Sequence, residues 1–264
     1  MPPKVILRNA GLPVRTCLAA LALLIAAPPA AAGTIAHYVR TGLDGAQPEH
    51  IWVYRPGGGR VEVYKMQARC TGAALVIAEM DEGRGEIRSI VGGRLGRDGT
   101  QQPVAKVALD PAARRLDVRV ELPDRTLTET HTIGAAPLWL YDFDGGDFTL
   151  MGPRASRSIA MGWPEGEAIL KTAGQADFTL VGEERREGRA VRRYRVGGPA
   201  FAGDQGGDVW VDAASGRLVD AEIGRPNHPG YKGLKLRLAA ENAGDAEAWR
   251  ARLTSHFEGC PPAP

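Results

Sequence analysis

The sequence predicts a mostly β fold: a large curved antiparallel sheet, half-barrel-like, with one or two short helices packed on it. Three observations carry this expectation. Apolar and charged residues alternate with period two in many short runs, glycine-rich turns separate those runs, and only two stretches show a helical period.

Taken in chain order, the first feature precedes the sheet. Lys4, Arg8 and Arg15 stand before an apolar run from Cys17 to Ala27, followed by two prolines and Ala30, Ala31, Ala32 and Gly33. This is the charge, apolar and small-residue pattern of a secretory signal peptide, with cleavage expected after Ala32. The apolar run would cover only about half of a ~30 Å hydrocarbon core, so no transmembrane anchor is expected. Cys17 precedes the run where a lipid-modified cysteine would follow it. The expected product is a soluble periplasmic or secreted chain, residues 33–264. It reads as one β-rich domain with a soft seam near 153–175, where glycine, proline and serine interrupt the alternation.

The strands follow. Val61 and Val63 oppose Glu62 and Tyr64; Leu116, Val118, Val120 and Leu122 oppose Asp117, Arg119 and Glu121; Leu234, Leu236 and Leu238 oppose Lys235 and Arg237. Each run suits a half-buried antiparallel strand. Between them lie Pro56–Gly59, Asp81–Gly85, Arg186–Gly188 and Ala213–Gly216, where glycine supplies the positive φ that tight hairpins need. About thirteen strand candidates fall between residues 34 and 240. In the run from Glu183 to Arg195 both charge signs interleave, which suits cross-strand ion pairs better than nucleic-acid contact.

Helices are few. Asp245 is placed to cap a segment in which Trp249, Leu253 and Phe257 recur every fourth residue, with Gly259 at its end. Pro164 to Ala173 is a second, shorter candidate, burying Ile169 and Leu170.

Past the leader the cysteines are Cys70 and Cys260. In an oxidising compartment they are expected to pair, closing a loop of about 190 residues. The alternative, a nucleophilic Cys70, requires a thiol kept reduced there.

The search for chemistry is largely negative. With 33 basic and 31 acidic residues the net charge is +2, which excludes a polybasic nucleic-acid binder. The five histidines form no H-E-x-x-H pair, no cysteine–histidine spacing suits zinc, and no metal or other cofactor is predicted. His131 reads as a hydrogen-bonded strand residue, and His256 as a residue at a helix C-terminus. No serine lies in G-x-S-x-G and no phosphate-binding glycine motif occurs. Two polar stretches remain. Asp142, Asp144 and Asp147 cluster within Tyr141–Asp147, either as calcium ligands out of the usual order or as a turn before Gly145-Gly146. Arg225–Lys232, with His228 between two prolines and Tyr231 after them, reads as a cavity mouth or a stiff connection. Trp139, Tyr141, Trp210, His228 and Tyr231 are the candidate ligand-lining residues if the sheet curves around a cavity.

Phe178–Glu183, the hairpin Gly188–Val196, and Asp208-Val-Trp-Val-Asp212 leading through Ser215-Gly216 to Val219 carry a resemblance. The segment Phe178 to Leu238 resembles the C-terminal part of the periplasmic lipoprotein-carrier superfamily, the Lol carriers and their relatives. The resemblance implies a strongly curved sheet with helices plugging its concave face, holding acyl chains or other apolar ligands. It departs in the N-terminal half, which is strand-rich without a long N-terminal helix, and no functional residue of the carriers carries over. The expected function is non-catalytic binding of a hydrophobic or amphiphilic ligand, a lipid for example. The alternatives are an envelope hydrolase using Asp142, Asp144 or His228, and an envelope protein-interaction module.

Overall fold

A computed structural model describes residues 33–141, 148–150, 152–162, 170–201, 206–227 and 231–262. The expected leader therefore lies outside the described residues. Among those described, fifteen strands and one helix occur. The first arm runs β1 (Gly33–Gly42), β2 (Glu49–Gly57), β3 (Arg60–Met66), β4 (Ala73–Asp81), β5 (Glu86–Leu95), β6 (Gln101–Asp110), β7 (Arg115–Glu121) and β8 (Thr126–Thr132). The second runs β9 (Leu138–Leu140), β10 (Arg154–Gly162), β11 (Leu170–Arg186), β12 (Arg189–Gly197), β13 (Gly207–Asp212), β14 (Leu218–Ile223) and β15 (Leu234–Gly244), followed by α1 (Ala246–Thr254).

All fifteen strands join one large, open, curved sheet. Its order is β8 back to β1, then β15 back to β9. Each arm is thus a meander, and the arms meet where β1 pairs with β15, from Gly33↔Gly244 to Gly42↔Leu234. Only β9 breaks the antiparallel rule, running parallel to β10. The predicted glycine turns are the hairpin turns, Gly57, Gly58 and Gly59 all holding positive φ between β2 and β3.

The arms curl toward each other, because one continuous apolar core draws on both. Val53, Val63, Leu116 and Val120 of the first arm and Phe178, Val191, Tyr194 and Val209 of the second belong to it, all essentially buried. Each fully buried side chain of this size contributes about 1.5–3 kcal/mol. The segment between β8 and β9 then crosses from one arm to the other and is latched by Glu86 of β5, only 1% exposed. Its carboxylate accepts two bonds from Arg114 Nη1 (3.0 and 2.9 Å), one from Arg84 Nε (2.5 Å) and one from the Leu138 N–H (2.9 Å). Arg114 also donates to the Ala136 and Gly134 carbonyls.

The other face of the first arm is covered separately. Trp52, Tyr54, Tyr64 and Leu75 point away from the shared core and pack beneath Trp249 and Leu253 of α1. Asp245 caps the helix through the Ala248 N–H (2.8 Å). The helix therefore lies on the face opposite the shared core, where the carrier resemblance implied a helix inside the concavity. It also ends at Thr254, so Phe257 packs from the following turn.

The second helix is corrected as well. Leu170–Ala173 belongs to β11, while 164–169 lie outside the described residues. Ile159 pairs with Gly174 and Ala160 with Thr172, so a bulge at Ala173 breaks the two-residue rhythm. Leu170, Ala173 and Ala176 are consequently buried at three-residue spacing, which imitates a helix.

Candidate functional site: a cleft between the arms

At one end of the shared core the arms part to leave a cleft of about 690 Å³. The first arm contributes the start of β1, the end of β2 with its glycine turn, and the β4–β5 turn. The second contributes β10 and the β13–β14 turn. Gly85 of the β4–β5 turn holds φ +61°, the left-handed conformation that favours glycine.

Charge is the distinctive property of this cleft. Five arginines (Arg55, Arg60, Arg84, Arg157 and Arg217) and two carboxylates (Asp81 and Glu82) are among its described lining residues. Arg60 is ion-paired with Glu62 and Glu79, and Arg84 with Glu86. Asp81 is held below the usual carboxylate range, first by the Arg84 N–H and then by the Arg88 guanidinium. Glu82 accepts from the Gly59 N–H (3.2 Å).

Deeper in, Arg157 is 7% exposed and reaches across to the Gly85 carbonyl (2.9 Å) and to that of Thr149. Arg217 behaves differently from the rim arginines. Burial and the like charge of Arg55 push its guanidinium below the ordinary value, although Glu241, Tyr38 and Glu82 pull the other way. Tyr38, donating to the Leu218 carbonyl (3.0 Å), has a phenol raised by burial and partly restored by Arg55. Thr34 Oγ1 is buried against the same cleft with no hydrogen-bond partner among the described residues.

Charged side chains dominate the described lining of the cleft. Ser156 donates to Asp177 (2.7 Å) and Ser215 to Asp212 (3.0 Å), and neither serine meets a histidine in those bonds. No histidine or cysteine occurs among the described residues lining it.

The described candidate ligand residues, Trp139, Tyr141, Trp210 and Tyr231, are not among those lining the cleft. Trp139, Tyr141 and Tyr231 gather inside the shared core with Phe148 and Phe178. Trp139 and Tyr141 sit 5.4 Å apart, and Tyr141 meets Tyr231 edge-on at 5.6 Å. Trp210 lies under the Arg186 guanidinium at 3.7 Å and donates to Glu184 (2.5 Å). His228, Asp142 and Asp144 fall outside the described residues. Cys70 and Cys260 do form a disulfide, with Cα atoms 5.4 Å apart and 190 residues between them in sequence. Beside it His256, 1% exposed, bonds Tyr64 OH (2.7 Å) and the Thr71 carbonyl (2.8 Å), so it serves packing. His131 pairs with Glu129 at 3.0 Å on β8. The Glu183–Arg195 run forms the β11–β12 hairpin, with Arg192 bonded to Glu183 across it (2.9 Å). Among the described residues no group of three or more His, Cys, Asp or Glu could hold a metal. No described helix is long and apolar enough to cross a membrane.

Sequence reasoning missed Arg55, Arg157 and Arg217. A signal for two of them exists: Arg55 continues the buried phase of Ile51 and Val53, and Arg157 that of Ile159.

No known family matches the chain, and no curated protein does. Among solved structures it is similar to MucB at 12% identity and a TM-score of 0.25, over 82% of this chain and 55% of that one. The chain thus spans about half the length of that structure, and a likeness this slight carries no conclusion about its role.

Proposed function

We propose that this chain is an exported, non-catalytic binding protein that takes an amphiphilic ligand in the cleft between its arms. The observation that carries the reading is the cleft itself: about 690 Å³, a size common for small-molecule sites, opening where the two arms part. Val61, Met80 and Ala155 offer apolar wall and the arginines a polar end. The shared core behind it is filled by packed side chains, so a ligand would lie against the core and not within it. Export is supported by the Cys70–Cys260 bridge, which oxidising compartments preserve, and by the leader-like N-terminus.

The test is extraction. Protein exported to a bacterial periplasm should yield an organic-soluble ligand visible by mass spectrometry and by native mass. Ala155→Trp, which fills the cleft from β10, should remove it while the disulfide and thermal midpoint persist. Native masses equal to the bare chain in repeated preparations, with no shift on adding short-chain detergents, would sink the reading.

A further inference from the structure

We propose that the free edge of β8 is a docking strand for a second copy of this chain, which pairs antiparallel with it about a two-fold axis at Thr130. The sheet ends in two unlike edges. β9 is three residues long and buried, and its Leu138 N–H already donates to Glu86. β8 is seven residues long, pairs with β7 in an unbroken register, and carries neither proline nor lysine, two common guards of an open edge. The hydrogen-bond phase shows which backbone groups it leaves open. The flanking pairs are bonded, through the Leu122 N–H to the Arg125 carbonyl (2.8 Å) and the Ile133 N–H to the Arg114 carbonyl (2.9 Å). Bonded and non-bonded pairs alternate along an antiparallel ladder, so Leu127, Glu129 and His131 bond β7. The N–H and C=O groups of Thr126, Thr128, Thr130 and Thr132 therefore point away from it. All four threonines are exposed, and among the described residues no partner takes those backbone groups.

The strand's own sequence selects the occupant. Thr126-Leu-Thr-Glu-Thr-His-Thr132 complements itself when Thr130 lies opposite its copy. In that register Thr130 meets Thr130 and Thr128 meets Thr132, each pair exchanging two N–H···O bonds from backbone groups that face outward. Threonine then lies beside threonine on one face of the joined sheet, and on the other Glu129 meets His131 and Leu127 meets Ile133. Glu129 already bonds His131 at 3.0 Å and the Leu170 N–H at 3.3 Å within its own chain. Across the axis two acids and two histidines therefore alternate, so the one acid of β8 does not repel the incoming strand. Moving the axis by one residue either way keeps each side chain on its face but sets Glu129 against Glu129, or His131 against His131. The complementarity thus fixes one register. Such a contact is isologous, the same patch on both copies, and closes at two chains.

The full-length exported protein, followed by sedimentation velocity from micromolar to near-millimolar concentration, should show a monomer–dimer equilibrium. Thr130→Cys, mildly oxidised, should give a covalent dimer, because a paired Cα–Cα distance of about 5.5 Å suits a disulfide. Thr128→Cys should fail to cross-link with itself and should cross-link when mixed with Thr132→Cys, which reads the register. Thr130→Pro removes an N–H that β7 does not use, so the thermal midpoint should persist. The dimer should weaken at least about tenfold, since the two symmetry-related bonds are lost together. Thr130→Lys places like charges on the axis and should weaken the dimer similarly, keeping the test decisive if the proline variant does not fold. A chain that stays monomeric throughout and leaves Thr130→Cys uncoupled overturns the proposal. A dimer of wild-type strength in both Thr130→Pro and Thr130→Lys also overturns it. Coupling of Thr128→Cys to itself as readily as Thr130→Cys overturns the register. Cross-links from Thr130→Cys to other proteins, without a homodimer, overturn the second copy as the occupant of the edge.

Discussion

Two charges near the same seam, Glu86 fully buried and Arg217 half-buried, are treated in opposite ways. Glu86 is surrounded: two arginines and a backbone N–H satisfy both of its oxygens. Burial alone would raise its carboxyl, but the Leu138 N–H and the Arg114 and Arg84 guanidinium groups outweigh burial and hold it below the usual range. Arg217 has the opposite balance. Burial and Arg55 depress it, and the acids nearby do not restore it. A buried charge that the fold satisfies is a latch. One whose charged form the fold opposes is a burden on stability.

The largest effect should come from breaking the latch. Glu86→Ala leaves the half-buried Arg114 without its carboxylate and frees the β8–β9 crossing, at a cost of about 3 kcal/mol. Urea denaturation would read it directly. The pH dependence sharpens the assignment. A carboxyl whose folded pKa lies below its unfolded value contributes stability above about 4.3, lost as pH falls through the folded value. The stability gap between wild type and Glu86→Gln should therefore be full at pH 6 and shrink below about pH 4.3. A gap that stays constant from pH 6 to pH 3 would show that the charge of Glu86 is not what holds the crossing.

Next in size is the disulfide, which belongs to the other face of the first arm. The shared core is enclosed by the sheet itself, whereas the outer aromatic cluster depends on one nine-residue helix near the chain's end. Cys70–Cys260 ties the segment after that helix to the β3–β4 connection, and Arg69 adds a bond to the Glu258 carbonyl (2.7 Å). Replacing both cysteines by serine should cost about 2–5 kcal/mol. The loss should be uneven. Hydrogen exchange is expected to speed first in α1, while β12 and β13 keep their protection. Uniform acceleration through both arms would mean that the outer cluster and the shared core unfold as one unit.

The contrast between faces also explains what could be read from sequence. Half-buried strands write their phase into the chain, so Leu116–Leu122 and Leu234–Leu238 were legible as strands. Charges interleaved across a hairpin were legible as ion pairs, and Cys70 and Cys260 as a bridge. Ile51-Trp52-Val53-Tyr54 is apolar on both phases, the mark of a strand covered on both sides, which locates the face that α1 must cover. Pairing of β1 with β15 leaves no periodic trace, because it joins residues some two hundred positions apart. The bulge at Ala173 does leave a trace, and it misleads. The cleft was the least legible region, since only the coming together of Arg55 and Arg217 gives either residue its meaning. An arginine on an apolar phase at the end of a strand is a weak signal alone. It becomes informative when a second arm supplies its partner.

The smallest effect tests the contrast most closely, because its sign is opposite to that at Glu86. A guanidinium whose folded pKa is lowered is a charge that the fold holds against its own preference. Removing that charge should leave stability unchanged or raise it, by up to about 1 kcal/mol. Arg217→Met keeps most of the aliphatic stem beside Leu218 and deletes the like charge facing Arg55, so its thermal midpoint at pH 7 should match or exceed that of wild type. A loss of more than about 1 kcal/mol in Arg217→Met would place it with Glu86 among the latches, outside the range of an ordinary surface change. The opposite signs at these two positions, measured in one buffer by one method, distinguish a charge the fold requires from a charge it carries at a cost.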